Sequence, residues 1–210
     1  MLTRALLVTN IAVFVWTTLN HVTDSNQLLI NAGAFYGPAV DQGQWWRAIT
    51  CGFLHGGLLH ISFNMFALWQ VGTVVEDLYG MPKMAVLYFG SLLGSAGAIY
   101  HYNYADVTIG ASGAIFGLFG ALAAAGLRLG RVGQQLVRSM LGIVLINVLI
   151  GFMVPNISQA GHIGGLVAGF VIGLLVYVRP EPRRPIYVDA QHQGNVIEAE
   201  LLPPEGQPKP

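Results

Sequence analysis

Apolar residues occur along this chain in long stretches, with polar residues gathered between them. A helix that crosses a bilayer needs ~20 mostly apolar residues. The rest forms a loop at 21–56, rich in aromatic side chains that suit a membrane interface, and a polar, proline-rich tail at 179–210. We therefore predict an all-α polytopic membrane protein with a transmembrane domain over 1–178, built from six helices at 3–20, 57–76, 83–102, 111–128, 135–154 and 160–178.

The composition restricts the class further. Hydrophobic residues make up 54% of the chain and charged residues 10%, with a mean hydropathy of +0.58, whereas soluble domains carry about 25% charged residues. Lys plus Arg and Asp plus Glu both number 10, so no basic excess is present to bind phosphate groups. These values exclude a soluble enzyme, a disordered chain and a nucleic-acid-binding protein. The single cysteine, Cys51, excludes an internal disulfide framework and a thiolate metal cluster.

The distribution of positive charge predicts the orientation. With the N-terminus in the cytoplasm, nine of the ten Lys and Arg lie inside and only Arg47 lies outside, as the positive-inside rule requires. Both termini are then cytoplasmic, and we expect a prokaryotic cell (inner) membrane. A signal peptide is the alternative for the first stretch, because Arg4 precedes it, but no small-x-small cleavage site follows. We predict a disordered tail at 179–210, either a solvated appendage or a binding motif.

Polar residues within the apolar stretches converge on one depth. His60 and Asn64 lie four residues apart, on one face at the start of the second predicted helix. Ser112 opens the fourth helix and His162 opens the sixth, and all three helices enter from the outside. Taken singly, these residues also fit a helix cap, a packing hydrogen bond or a polar contact between helices. Their convergence favours a functional site.

This set of residue types suits acyl transfer. A serine hydroxyl becomes a nucleophile at neutral pH when a base such as histidine lies beside it. No Asp or Glu occurs in the core of a predicted helix, so the set suggests a dyad of Ser112 and His162 without a carboxylate. The oxyanion of the tetrahedral intermediate needs hydrogen-bond donors. His60, Asn64 and the backbone N–H groups at 110–112 are suitable donors.

Glycines recur every four residues in the sixth predicted helix, at Gly161, Gly165, Gly169 and Gly173. Gly165, Gly169 and Gly173 lie on the same side as His162 and allow another backbone to approach closely. The fourth helix offers a matching surface of small residues, Gly113, Gly117 and Gly120. We expect close packing that brings His162 beside Ser112 and against the ring of Phe116. The alternative is that the stripe serves helix packing only.

Four segments resemble the rhomboid family of intramembrane serine proteases. They are Trp46-Arg47, His-Gly-Gly-Leu-Leu-His-Ile-Ser-Phe-Asn at 55–64, Gly-Ala-Ser-Gly at 110–113, and His-Ile-Gly-Gly-Leu-Val-Ala-Gly at 162–169. Their order and placement on the predicted helices make the resemblance specific, and it covers residues 1–178. It implies the minimal six-helix rhomboid-like bundle, and we expect no cofactor and no metal.

The resemblance also implies roles for the polar residues. Ser112 corresponds to the nucleophile and His162 to its general base. His60, Asn64 and the Ser112 backbone N–H correspond to the oxyanion donors, and Gly110 to the glycine of the GxSG motif. The implied substrates are single-span membrane proteins, cut within the lipid bilayer near its outer face at small residues. The fifth helix would act as a gate, and the oligomeric state is not specified.

Other matched residues imply structural support. Trp46 and Arg47 resemble a loop motif of the family, and His55 would support the same loop by hydrogen bonding. Apart from the resemblance, the helix spacing predicts that Phe116 orients the imidazole and that Gly165 and Gly169 let the sixth helix approach the fourth. The chain departs from the family at Gly161, where alanine is common.

Three other classes remain as alternatives. A transporter or channel would use His60, Asn64 and His162 as a polar pathway, without needing a serine beside glycine. A catalytically inactive relative would bind membrane helices, but it would lack the serine or the histidine. A zinc protease is disfavoured because His55 and His60 do not share a helix face and no HExxH sequence occurs.

Overall fold

The structure is a computed structural model that describes residues 1–153 and 157–176. Residues 177 and 178 and the predicted tail at 179–210 lie outside the described residues. The helices are α1 (Leu2–Leu19), α2 (Asn26–Ala32), α3 (Gly37–Asp41), α4 (Arg47–Thr50), α5 (Leu58–Tyr79), α6 (Met81–Tyr102), α7 (Ser112–Leu129), α8 (Arg131–Met153) and α9 (Gln159–Val176). Within the described ranges, the extended pairing is confined to an isolated antiparallel bridge between Phe35 and Thr108.

Five of these helices, α1, α5, α6, α7 and α9, are long and apolar enough to cross a membrane. Their ends differ from the predicted ones by a turn or less, the largest change being the extension of α5 to Tyr79. The fifth predicted stretch corresponds to α8, in which Gly133–Ile146 is a shorter apolar segment. The predicted class of all-α membrane bundle is confirmed.

The central helix of the described bundle is α7, which contacts α5, α6, α8 and α9. Its residues are apolar or small on every side, and nearly all of them from Ser112 to Gly126 are buried. A helix that is apolar all round is stable when other helices surround it. Ser112 therefore begins the most buried of the apolar helices, and the surrounding packing fixes its position.

Helices α7 and α9 pack backbone against backbone along a glycine seam. A Cβ atom built on Gly165 would overlap the carbonyl oxygen of Gly113, and one on Gly169 would overlap the carbonyl oxygen of Gly117. A side chain at either position would force the helices apart. The seam thereby brings the first turn of α9 next to the first turn of α7.

Hydrogen bonds fasten α1 to α5 at the end of the bundle opposite Ser112. The carboxylate of Glu76 accepts from the backbone N–H groups of Leu2 and Thr3, at 2.7 and 2.9 Å, and from the Thr3 hydroxyl at 2.7 Å. These N–H groups have no acceptor within their own helix, and a carboxylate at a helix N-terminus is favourable. Tyr79 donates to the carbonyl oxygen of Ala121 at 2.8 Å, which links α5 to α7.

The predicted loop at 21–56 contains the short helices α2, α3 and α4. The buried guanidinium of Arg47 holds it together, because it donates to the Gln44 side-chain oxygen and to the carbonyl oxygens of Ile30 and Ala34. The two distances to carbonyl oxygens are 2.5 and 2.9 Å. Arg47 therefore fixes the fold of the segment that precedes α5.

The aromatic side chains of this segment differ in exposure. Trp45 and Trp46 are 72% and 46% exposed, as expected for side chains at a membrane interface. Phe35 is another aromatic residue of the loop for which we predicted an interfacial position, but it is buried at 2% exposure. The reason is its backbone pairing with Thr108, which carries it inward against the stretch leading to α7.

Candidate functional site

Ser112 and His162 meet at the first turns of α7 and α9. The Ser112 hydroxyl oxygen lies 2.8 Å from His162 Nε2. Both residues are buried, at 7% and 3% exposure. A short bond in such surroundings fixes the hydroxyl and the imidazole relative to each other. The hydroxyl can donate its proton along this bond when Nε2 is unprotonated.

The ring of Phe116, one turn further along α7, lies face to face with the imidazole of His162. The two ring centroids are 4.3 Å apart and the planes are inclined by 9°. This stacking fixes the plane of the imidazole, and the helix spacing from Ser112 to Phe116 keeps it in line with the hydroxyl.

Gln159 forms the other polar contact of the imidazole, and sequence reasoning missed it. Its Oε1 lies 3.3 Å from His162 Nδ1. The two residues are three apart in the first turn of α9, a spacing that places side chains on one helix face. That spacing was a usable signal, but a glutamine at a helix start is ordinarily a solvated residue.

A network of polar groups positions the start of α9. The Ser158 hydroxyl accepts from the Gly161 backbone N–H at 3.0 Å and donates to Asn103 Oδ1 at 2.8 Å. The Ser158 carbonyl oxygen also accepts from the His162 N–H at 3.1 Å. A serine at this position satisfies N–H groups that have no acceptor within the helix, so the turn carrying the imidazole is well fixed.

His60 lies on the other side of the turn that precedes Ser112. Its Nδ1 accepts from the Gly56 backbone N–H at 3.3 Å, so the proton of the neutral ring is on Nε2. That Nε2 is buried and has no hydrogen-bond partner among the described residues. His60 thus presents an N–H donor that nothing in the described part of the chain accepts.

The backbone at Gly110 brings the His60 donor and the serine hydroxyl together. Gly110 has φ +123°, a conformation that favours glycine. A Cβ atom built there would lie 2.8 Å from His60 Nε2 and 3.7 Å from the Ser112 hydroxyl oxygen. The Gly110 N–H donates to the carbonyl oxygen of Cys51 at 2.9 Å, which ties the turn to the loop. The missing side chain leaves space between the donor and the hydroxyl.

Asn64 lies one helical turn beyond His60, on the same buried face of α5. Its Nδ2 donates to the His60 carbonyl oxygen at 2.9 Å, which engages one of its two amide hydrogens. The bond holds the amide against the helix, and the second hydrogen is free of that bond.

His55 differs from its predicted contacts. Hydrogen bonding to the loop was expected, but neither ring nitrogen has a partner among the described residues. The ring instead packs edge-on against His60, with centroids 5.0 Å apart, because Gly56 and Gly57 let the chain fold back before α5 begins. Burial, with a smaller contribution from the neighbouring His60, lowers the pKa of His55 to about 3. His55 is therefore a neutral packing residue.

Cys51 lines the pocket at the site, whereas Trp46 lies in the loop that precedes it. The Cys51 thiol is buried, and burial raises its pKa to about 12, so it remains protonated and unreactive at neutral pH. The Trp46 carbonyl oxygen accepts from the N–H groups of Ile49 and Thr50 at 2.9 and 3.0 Å. These bonds shape the short helix that carries Arg47.

Within the apolar bundle, the buried serine–imidazole pair and the unpartnered donor beside it are the groups that acyl transfer at a serine requires. The Rhomboid domain family model matches residues 42–179 of this chain. The chain belongs to the rhomboid family, and the predicted resemblance is confirmed.

The chain is similar to several curated proteins. It is 37% identical to Rhomboid protease GluP of Bacillus subtilis (strain 168) over 162 residues, which cover 76% of this chain and 32% of that protein. It is 34% identical to RHOMBOID-like protein 5 of Arabidopsis thaliana, over 71% of this chain and 50% of that protein. It is also 33% identical to the Putative rhomboid protease YdcA of Bacillus subtilis (strain 168), over 70% of this chain and 75% of that protein. The match thus spans about a third of the first relative's length and half of the second's.

Proposed function

We propose that this protein is an intramembrane serine endopeptidase that cleaves transmembrane segments of single-span membrane proteins with a dyad of Ser112 and His162. The observation that carries the proposal is the 2.8 Å bond between the Ser112 hydroxyl and His162 Nε2. Membership of the rhomboid family and relatives named as proteases support it.

The first half of the reaction forms an acyl-enzyme. Ser112 Oγ attacks the carbonyl carbon of the scissile peptide bond while its proton passes to His162 Nε2. The carbonyl oxygen takes up the electron pair and becomes an oxyanion. When the intermediate collapses, the C–N bond breaks and the leaving amine takes the proton from His162. The acyl group remains as an ester on Ser112.

The second half releases the product by hydrolysis. A water molecule gives a proton to His162 Nε2 as its oxygen attacks the ester carbon, and the proton then returns to Ser112 Oγ as the C–O bond breaks. Both intermediates carry an oxyanion that needs donors at hydrogen-bond distance. The unpartnered His60 Nε2–H and the Ser112 backbone N–H are the first candidates, and the second amide hydrogen of Asn64 is another.

The surroundings of the pair favour a substrate held in the bilayer. Ser112 and His162 lie at the ends of membrane-length helices, so a peptide bond near one membrane face reaches them if the substrate helix unwinds there. The charge distribution predicts that this face is the outer one, with both termini in the cytoplasm. We assign the activity to residues 1–178, without the tail at 179–210, and expect it in a prokaryotic cell membrane.

Cleavage of a model transmembrane substrate in liposomes tests the proposal. Ser112→Ala and His162→Ala are each expected to lower turnover by about 10⁴-fold or more, with little change in melting temperature, because they remove the nucleophile or its base. A fluorophosphonate probe is expected to label wild type on Ser112. Ser62→Ala, at an exposed serine of α5, is the matched control and should keep full labelling and turnover.

The outcomes separate this proposal from the other classes. Labelling that persists in Ser112→Ala, or unchanged cleavage by that variant, contradicts a Ser112 nucleophile. A comparable loss of turnover and of melting temperature in both dyad variants would instead assign the pair to packing.

A further inference from the structure

We infer that Gln159 is a positioning residue for the base: its amide oxygen holds the His162 imidazole in the tautomer that can accept the serine proton. The inference rests on the proposed function of the dyad. A neutral amide would then do what a carboxylate does in a catalytic triad, which is to orient the histidine.

The hydrogen bonding of the imidazole requires an acceptor at Nδ1. Neutral imidazole carries one N–H, and Nε2 must lack it in order to accept from the Ser112 hydroxyl at 2.8 Å. The proton is therefore on Nδ1, which faces Gln159 Oε1 at 3.3 Å. The stacked ring of Phe116 fixes the plane of the imidazole but does not select which nitrogen is protonated. The Gln159 oxygen makes that selection.

The backbone of the first turn of α9 holds Gln159 in place. Ser158, the preceding residue, caps the helix through the Gly161 N–H at 3.0 Å. The Gly161 backbone itself lies close to α6, since a Cβ atom built there would lie 2.9 Å from both the Ile99 side chain and the Ser95 hydroxyl oxygen. Gln159 and His162 are consequently fixed in one rigid turn.

An amide suits this position electrostatically. When His162 takes the serine proton, its Nδ1–H becomes part of a cation, and hydrogen bonds to charged groups are stronger than neutral ones. The amide oxygen therefore stabilises the protonated ring without placing a permanent negative charge at the apolar site, which would be costly. Among the described residues, His60 on α5 acts electrostatically on this ring, and the Cys51 thiol of the loop lines the same pocket. Neither can act as an anionic partner while His60 is neutral and Cys51 is protonated.

Two substitutions at Gln159 test the inference with readouts that a packing role would not move. Gln159→Leu is expected to lower kcat and the rate of fluorophosphonate labelling by about 10- to 100-fold, the effect of one hydrogen bond to a charged group, with KM little changed. Gln159→Glu keeps the acceptor and should retain more of the labelling rate. Gln27→Leu, at an exposed glutamine of α2, is the matched control and should behave as wild type.

The pH dependence of kcat/KM gives a second readout of opposite sign in the two variants. Loss of the acceptor in Gln159→Leu destabilises the protonated imidazole, so the acidic limb should move to lower pH. The added negative charge in Gln159→Glu favours the protonated imidazole, so the limb should move to higher pH. A raised KM with unchanged labelling would show a substrate contact, and a lowered melting temperature with an unmoved limb would show a packing role. Either result overturns the inference.

Failure of the proposed function gives a different pattern. Labelling that survives Ser112→Ala, or no labelling of wild type, contradicts the dyad rather than the role of Gln159. Nitrogen NMR of the His162 ring, assigned by comparison with His162→Ala, then decides the inference by itself. Gln159→Leu is expected to shift the ring nitrogens away from the Nδ1–H tautomer, and unchanged shifts would contradict it.

Discussion

The two sides of the candidate site differ in how their polar groups are satisfied. On one side, the Ser112 hydroxyl is bonded to His162 Nε2, and Nδ1 of the same ring faces the Gln159 oxygen. On the other side, His60 is bonded through Nδ1 only, and its buried Nε2 has no partner among the described residues. One side is a completed chain of hydrogen bonds, and the other keeps a donor open.

This difference matches the separate tasks that we propose for the two sides. A group that transfers a proton must be aligned before the substrate arrives, so pairing in the resting state is useful. A buried donor without an acceptor costs about 1–3 kcal/mol, and it gains an acceptor only when negative charge develops beside it. Donors arranged in advance for that charge are the usual source of oxyanion stabilisation. His60 fits this description because the Gly110 turn leaves the space next to its Nε2 open.

On the open side, Asn64→Ala removes the further candidate donor, the second amide hydrogen of Asn64. Removal of one oxyanion donor should lower kcat by about 10²-fold with KM nearly unchanged, measured with the model substrate in liposomes. Asn10→Ala is the matched control, because Asn10 is also buried and its amide donates to the carbonyl oxygen four residues earlier, that of Leu6. If both variants lose the same activity, Asn64 acts through helix structure and not as a donor.

A smaller effect is expected when the paired side is displaced through the glycine seam. In Gly165→Ala the new Cβ atom meets the Gly113 carbonyl oxygen, so α9 must move from α7 and carry His162 with it. Overpacking of this kind costs about 1–3 kcal/mol of unfolding free energy, and activity should fall with it. Thermal melting in detergent and cleavage in liposomes measure the two changes.

Gly97→Ala in α6 is the control for the seam. A Cβ atom built on Gly97 meets nothing within 4 Å, and alanine is favoured over glycine in a helix by about 1 kcal/mol. This variant should be as stable as wild type or slightly more so. Equal stability of Gly97→Ala and Gly165→Ala, both at or above that of wild type, would show that the seam sets no steric limit at Gly165.

The helices and the polar residues could be predicted from the sequence because the lipid bilayer limits which residue types a membrane-spanning helix can contain. Apolar stretches of membrane length mark the spans, and Ser112 and His162 stand out because polar groups in such stretches are costly. The glycine spacing further predicted that α7 and α9 pack closely. The residue pattern within a single helix was sufficient to predict features that depend on that helix alone.

Contacts that depend on the path of the backbone could not be predicted from the sequence. Arg47 is buried against the carbonyl oxygens of its own loop, and carbonyl groups leave no trace in the residue pattern. A helical wheel places His55 and His60 on different faces, but their rings are in contact because the chain turns at Gly56 before the helix starts. Gln159 was missed because its role depends on the tautomer of a ring three residues away.

The structure of a covalent fluorophosphonate adduct tests the comparison of the two sides most directly. In the adduct, a phosphoryl oxygen on Ser112 takes the place of the oxyanion. We predict that this oxygen lies within about 3.2 Å of both His60 Nε2 and the Ser112 backbone nitrogen, the range of an N–H···O hydrogen bond. A phosphoryl oxygen that points away from His60, with its Nε2 still unpartnered, would contradict the account.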